Sequence, residues 1–173
     1  MRLFKFSILL FLFTACNAPQ AAYDYDQEVN FSRYSTYALF PDFRTGLSQL
    51  DESRLIESLK AGMRSEGLSL SDDPGMYVNV YTEKFEQDNR SRVGVGIGGG
   101  GGNVGVGVSG GIPVGQMDTY LKLTFDFIDK EKDVLIWQAV VESPFSFNAD
   151  PKERQERFSK IVEKALEGYP PNK

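Results

Sequence analysis

From Met117 to Phe127 the chain alternates. Met117, Thr119, Leu121, Leu123, Phe125 and Phe127 are interleaved with Asp118, Tyr120, Lys122, Thr124 and Asp126. A period of two sets the first group in a row on one face of a β-strand. Asp129-Lys130-Glu131-Lys132-Asp133 resists burial and predicts a polar hairpin loop. The return segment, Val134 to Val141, is apolar on both faces until Glu142, which predicts a strand well inside a sheet.

The same pattern predicts further strands at Tyr23–Asp26, Ser35–Phe40 (stopped by Pro41) and Met76–Phe85, with a turn or single helical turn at Asn30–Tyr34. Two helices are punctuated at both ends. The first starts either at Ser48, paired with Asp51 as a capping box, or at Asp51, with Leu50 stapled to Leu55. Its apolar stripe is Leu55, Ile56, Leu59 and Met63, and Gly67 is placed to end it with Leu68 folding back. The second is capped by Asp150, with Pro151 at the first helical position and Glu153 completing the box. Phe158, Ile161, Val162, Ala165, Leu166 and Tyr169 then recur on one face until Gly168 and Pro170-Pro171 stop it. This order predicts an α+β domain, a mainly antiparallel sheet with two helices packed on one face.

The beginning of the chain changes the picture from fold to location. Arg2 and Lys5 precede a short apolar run, Phe6 to Phe13, too short to span a bilayer but fitting an export signal. Leu12-Phe13-Thr14-Ala15-Cys16 resembles a bacterial lipobox, which implies cleavage before Cys16 and diacylglycerol on its thiol. More than one acyl chain gives stable anchoring. The expected organisation is a lipoprotein signal peptide at 1–15, an anchor and tether at 16–22, and one domain at 23–173 with a glycine-rich insert at 93–115. By resemblance to enterobacterial sorting, in which Asp after the anchor cysteine favours the inner membrane, Asn17 favours the outer one, facing the periplasm.

Composition excludes several chemistries. The chain has one cysteine and no histidine. Once Cys16 carries lipid there is no intrachain disulfide, no thiolate catalysis and no imidazole base, and neither metal nor cofactor is expected. The net charge of −5 becomes −7 when Arg2 and Lys5 leave with the signal. An acidic surface repels phosphate, so nucleic acid is not expected as a partner.

Residues 94 to 115 depart from everything else. Val93-Gly94-Val95-Gly96-Ile97 and Val104-Gly105-Val106-Gly107-Val108 alternate branched apolar residues with glycine around Gly98 to Asn103. The two arms fit either a hairpin that orders against a partner or a flexible surface loop, since glycine weakens strands. Val95, Ile97, Val104, Val106 and Val108 are the candidate partner contacts. Gly94-x-Gly96-x-x-Gly99 matches the dinucleotide fingerprint as a string, but no helix opens after it. Gly107-Val108-Ser109-Gly110-Gly111 matches a nucleophile elbow, but no histidine exists to take the serine proton. Asp24, Asp26 and Glu28 begin like a calcium loop, and Val29 at the required glycine position breaks it. Asp126 with Asp129, and Asp72 with Asp73, read as solvated turn and edge carboxylates rather than catalytic pairs. The aromatics Tyr23, Tyr25, Tyr34, Tyr37, Phe40 and Phe43 read as core and sheet-edge packing, with a partly exposed binding face as the other reading.

Taken in order, Tyr25-Asp26, Asn30-Phe31, Tyr34-Ser35-Thr36-Tyr37-Ala38, the Leu121-to-Asp129 strand, Leu135-Ile136-Trp137 and the closing helix into Tyr169-Pro170 make up a recognisable set. The chain resembles a family of bacterial lipoproteins catalogued as domain of unknown function 4136. The resemblance covers nearly all of the chain after the signal and implies a fold and a location, but no activity. The expected function is a lipid-anchored, non-enzymatic binding or scaffolding module that meets an envelope protein, or a second copy of itself, through the glycine-rich segment. The alternative is a carboxylate-based enzyme or binder acting on envelope glycans.

Overall fold

The computed structural model describes residues 18–87, 91–93, 112–114 and 118–171. The long hairpin forms where its alternation predicts. Strand β7 (Asp118–Asp129) and strand β8 (Val134–Pro144) pair antiparallel, with Phe127 opposite Trp137 and Phe125 opposite Ala139. Leu121, Leu123, Phe125 and Phe127 are buried, as the period of two requires. A register shift between Phe127 and Ile128 marks a bulge near the loop.

Six strands make one sheet, in the order β1 (Gln20–Tyr25), β8, β7, β4 (Met76–Gln87), β2 (Thr36–Leu39) and β3 (Ser69–Leu70). Strand β1 lies antiparallel to β8, and β4 antiparallel to β7. Strand β2 runs parallel to β4 and to the two-residue β3, so the sheet is mixed but mostly antiparallel. Between β2 and β4 the chain passes through helix α1 (Gln49–Ser65), the kind of crossover a parallel pair needs. A separate antiparallel pair, β5 (Ser91–Val93) with β6 (Ile112–Val114), brackets the glycine-rich segment.

Two boundaries differ from the expectation. β1 takes in Gln20, Ala21 and Ala22, which composition assigned to the tether; their backbone pairs with Glu142, Val141 and Val140. Small, low-information side chains still carry ladder donors and acceptors, and an unpaired edge on β8 recruits them. Helix α1 begins at Ser48, whose hydroxyl accepts from the Asp51 amide, so the alternative with Asp51 as cap and Leu50 as staple does not form. Leu50 is 69% exposed.

Gly67 ends α1 with a positive φ of 78°. Its amide reaches the Arg64 carbonyl and the Leu68 amide reaches the Met63 carbonyl, the pair of bonds that closes a Schellman turn. Helix α2 (Pro151–Leu166) is capped by Asp150, which accepts from the Lys152 and Glu153 amides. Phe158, Ile161, Val162, Ala165, Leu166 and Tyr169 are all buried in one core with Leu55, Leu59, Met63, Phe125, Phe127 and Trp137. Trp137 is fully enclosed between the rings of Phe127 and Tyr169, and its indole N–H donates to the Gly168 carbonyl.

The helices run parallel, because their contacts climb in step. Asp51 meets Arg154, Ser58 meets Gln155 and Ser159, and Gly62 faces Val162 and Leu166. Asp51 is fully buried, and its carboxylate takes Arg54 at 2.8 Å, Arg154 from the other helix and the Ser48 hydroxyl at 3.0 Å. A buried carboxylate is tolerated only with such a full set of donors. Its place in the first turn of α1 also suits the positive end of that helix dipole.

Candidate functional site

Strand and helix lengths create the site. β4 and β7 have 12 residues each, about 40 Å of extended chain. Helix α2 has 16 residues and covers only about 24 Å. The strands therefore outrun the helix, and a cleft of about 620 Å³ opens at the N-terminal end of α2. Lys84 of β4 and Asp118 and Thr119 of β7 line it from the sheet; the Pro144–Ala149 loop and Glu153, Arg154 and Arg157 of α2 line it from the helix side.

The loop is held in place rather than draped. The Phe145 amide donates to the Thr119 carbonyl at 2.9 Å, and the Phe145 ring packs on Phe158 at 5.2 Å between centroids. Phe145 is thereby buried and turns Phe147, edge-on to it at 4.9 Å, into the cleft mouth, where 41% of Phe147 stays exposed. Lys84 Nζ sits 4.8 Å over the Phe147 ring. The Arg154 guanidinium lies 5.7 Å from the Phe145 centroid and 6.0 Å from that of Phe147. Cations over aromatic faces gain about 0.5–1 kcal/mol each where solvent reaches them. Arg154 Nε is covered and has no hydrogen-bond partner among the described residues, while the guanidinium charge is met by buried Asp51. The cleft thus gathers three cations, two carboxylates and a fixed, half-open aromatic face.

The sequence contained a signal for this cleft that the strand and helix patterns do not use. Phe145-Ser146-Phe147-Asn148 puts two aromatics into a polar loop, and Arg154 and Arg157 follow at a spacing of three on the helix. Lys84 is far away in the chain and joins them only through the β4–β7 register, in which it faces Leu121.

Asp126 and Asp129, weighed as a possible pair, do not come together. Asp126 and Asp129 are three apart on one strand and point to opposite faces. Asp126 is no solvated edge group: it lies on the non-core face in an interior strand, in a row with Asp24, Gln138 and Asn79 across four strands. Burial raises its carboxyl above the ordinary value, partly offset by a 2.7 Å hydrogen bond from the Gln138 amide. Asp129 was expected in the solvated loop and is instead 1% exposed. Burial pushes its carboxyl up, but the Tyr34 hydroxyl and the Lys132 and Glu131 amides outweigh that, and the net value falls below the ordinary range. Asp73 is exposed and pairs with Lys130 at 2.5 Å, as a turn carboxylate should. Of the early aromatics, Tyr34 and Tyr37 are buried and Tyr23 is 39% exposed against Trp137.

Cys16, expected to carry lipid, and the partner-contact candidates Val95, Ile97, Val104, Val106 and Val108 lie outside the described residues. Among the described residues no cluster of acidic or thiol side chains is arranged to hold a metal, and no helix is long and apolar enough to cross a membrane.

The model of one protein family, described as Domain of unknown function (DUF4136), matches residues 21–171. No curated protein matches the chain. A solved PDZ domain protein from Parabacteroides distasonis ATCC 8503 is similar with a TM-score of 0.53 at 11% identity, over 91% of this chain and 38% of that one. The chain therefore spans well under half of that protein, and the likeness extends to the fold alone. PelC dodecamer structures from Paraburkholderia phytofirmans are similar with TM-scores of 0.47 and 0.44 at 8% and 12% identity, over 84% and 85% of this chain and 96% of theirs.

Proposed function

The chain belongs to the DUF4136 family, a family of unknown function, and we propose that it is a lipid-anchored cell-envelope protein acting as a non-enzymatic binding module. Lipid on Cys16 holds the domain at a membrane, in this reading the outer membrane facing the periplasm; the Leu12-to-Cys16 string supports it. Both helices occupy one face of the sheet, supported by their mutual packing and the core they share with Val78, Val80, Phe125 and Phe127. The cleft at the start of α2 then takes the ligand, and the glycine-rich segment offers backbone for a partner strand or a second copy.

The observation that carries this reading is the cation-lined aromatic wall formed by Lys84, Phe147 and Arg154. Fixed rings with charged groups over them suit recognition. The chain has no histidine, the commonest base for a hydroxyl nucleophile. A photoreactive residue in place of Phe147, in the full-length protein in cells, tests it. A discrete adduct that disappears with Lys84→Glu is expected; labelling indifferent to Lys84 would count against the cleft.

A second reading is a carboxylate-based enzyme acting on envelope glycans, favoured by the presence of Asp118 and Glu153 in the same cleft. It predicts that Asp118→Asn or Glu153→Gln abolishes hydrolysis of a glycan substrate. Binding without any conversion of the bound sugar would remove it.

A further inference from the structure

We propose that the cleft at the N-terminal end of α2 selects a carboxylate-bearing saccharide, with the carboxylate at Lys84 and the face of one sugar ring on Phe147; this rests on the reading of the cleft as a binding site. Four observations lead there.

First, Phe147 is held as a platform. Its edge-to-face contact with buried Phe145 fixes the ring, yet 41% of the side chain remains open. The open part of the ring offers an apolar face, and a sugar has an apolar C–H face of matching size.

Second, the rest of the lining is hydrogen-bonding rather than greasy. Thr119, Ser146, Asn148 and Glu153 supply hydroxyl, amide and carboxylate groups around that ring. An apolar peptide side chain or an acyl chain would strip these groups of water and leave them unpaired. The hydroxyl rim of a saccharide would satisfy them.

Third, the cleft holds a cation that no described carboxylate takes. The chain as a whole is acidic, with a net charge of −5. In the cleft Arg154 is already held by buried Asp51, whereas Lys84 meets the Phe147 ring. That lysine fits a singly charged carboxylate, while Asp118 and Glu153 would repel a dianion such as a phosphate monoester. At physiological salt the distant acidic surface is screened beyond about 8 Å, so the local cation decides.

Fourth, Lys84 already carries its charge above the same ring, 4.8 Å from its centroid. A ring carboxylate that draws the ammonium off Phe147 frees that face for the body of its sugar, so charge and stacking are read together.

The test is titration calorimetry of the full-length protein in detergent with three probes: trigalacturonate, its methyl ester and triglutamate. Trigalacturonate is expected to bind at least tenfold more tightly than the ester, the difference expected when a charge-assisted bond is lost. Lys84→Met should bring the acid down to the level of the ester and leave the ester unchanged. Phe147→Ala should weaken both sugars. Lys84 and Phe147 are exposed, so both variants are expected to fold. Equal binding of acid and ester would overturn the charge selection while leaving the cleft as a binding site. Triglutamate binding in place of the sugars would overturn the saccharide and leave the cleft standing. No binding of any probe, together with no adduct from position 147, would overturn both.

Discussion

Tyr34 Oη donates to Asp129 Oδ2 at 2.5 Å, tying the turn before β2 to the hairpin end of β7 across 95 residues of sequence. Both groups are buried, and the same carboxylate receives the Glu131 and Lys132 amides through its other oxygen, at 2.8 and 2.9 Å. One ionised side chain thus organises the loop at the hairpin end and anchors the N-terminal aromatic cluster to it.

Tyr34→Phe should cost about 1.5–3 kcal/mol, the usual range for a hydrogen bond to a charged group. Asp129 has its carboxyl depressed in the fold. Its stabilising effect is therefore present above the carboxylate range of the unfolded chain and lost as pH falls through the folded value. The variant should accordingly unfold at a higher pH on acidification. The Tyr34 phenol is pushed up to about 12, by burial first and by Asp129 second. Its contribution is complete below about 10, the ordinary phenol value, and fades as pH rises through the folded value. Fluorescence of Trp137, the single tryptophan, follows both limbs.

Asp126→Asn should stabilise the protein at neutral pH. Burial raises the Asp126 carboxyl, so its charged form is disfavoured in the fold; stability is fullest below the unfolded value and falls as pH rises through the folded one. Asparagine keeps an acceptor for Gln138 without the charge. Calorimetric melting should show a higher Tm than wild type at pH 7 and a gap that closes under acid. A lower Tm at pH 7 would mean that the ionised form is needed on that face.

Asp51→Ala should be the most damaging single change near the cleft, at about 3–5 kcal/mol, because it strands two guanidinium groups beside a buried space. Arg54 and Arg154 both lose their carboxylate, and Ser48 loses a partner at the helix cap. Urea unfolding measures the loss. The same substitution should loosen Arg154 from its position against Phe145, so ligand affinity in the cleft should fall with it.

Gly62→Ala should destabilise, against the intrinsic preference of a helix. Alanine in mid-helix normally gains about 1 kcal/mol over glycine. Here its methyl group would come within 2.8 Å of Val162 and 2.7 Å of Leu166 on α2. Forcing a packed seam apart costs about 1–3 kcal/mol, so a net loss of about 1 kcal/mol is expected in chemical denaturation.

Much of the fold was legible because it depends on local rules. Alternation in Leu121 to Phe127 needs only the strand period, and the five buried positions from Phe158 to Leu166 need only the helical one; Tyr169, expected on the same helix face, lies past the helix end. The Ser48 and Asp150 caps and the Gly67 stop follow from backbone groups that the helix itself leaves unpaired. Asp129 misleads because charge argues for solvent, whereas a donor 95 residues away and two amides of its own loop make burial tolerable. Leu50 misleads because two caps compete and the Ser48 hydroxyl wins, leaving no staple to form.

By itself, then, the sequence determined the elements, their buried faces, the acidic balance and the absence of imidazole chemistry, since each is a property of neighbouring residues or of composition. Only the tertiary structure decided which strands run parallel, that α1 and α2 lie side by side in the same direction, and that Lys84 meets Phe147. Those depend on strand register and on the mismatch between strand and helix lengths, which bring together residues with no local reason to be near one another.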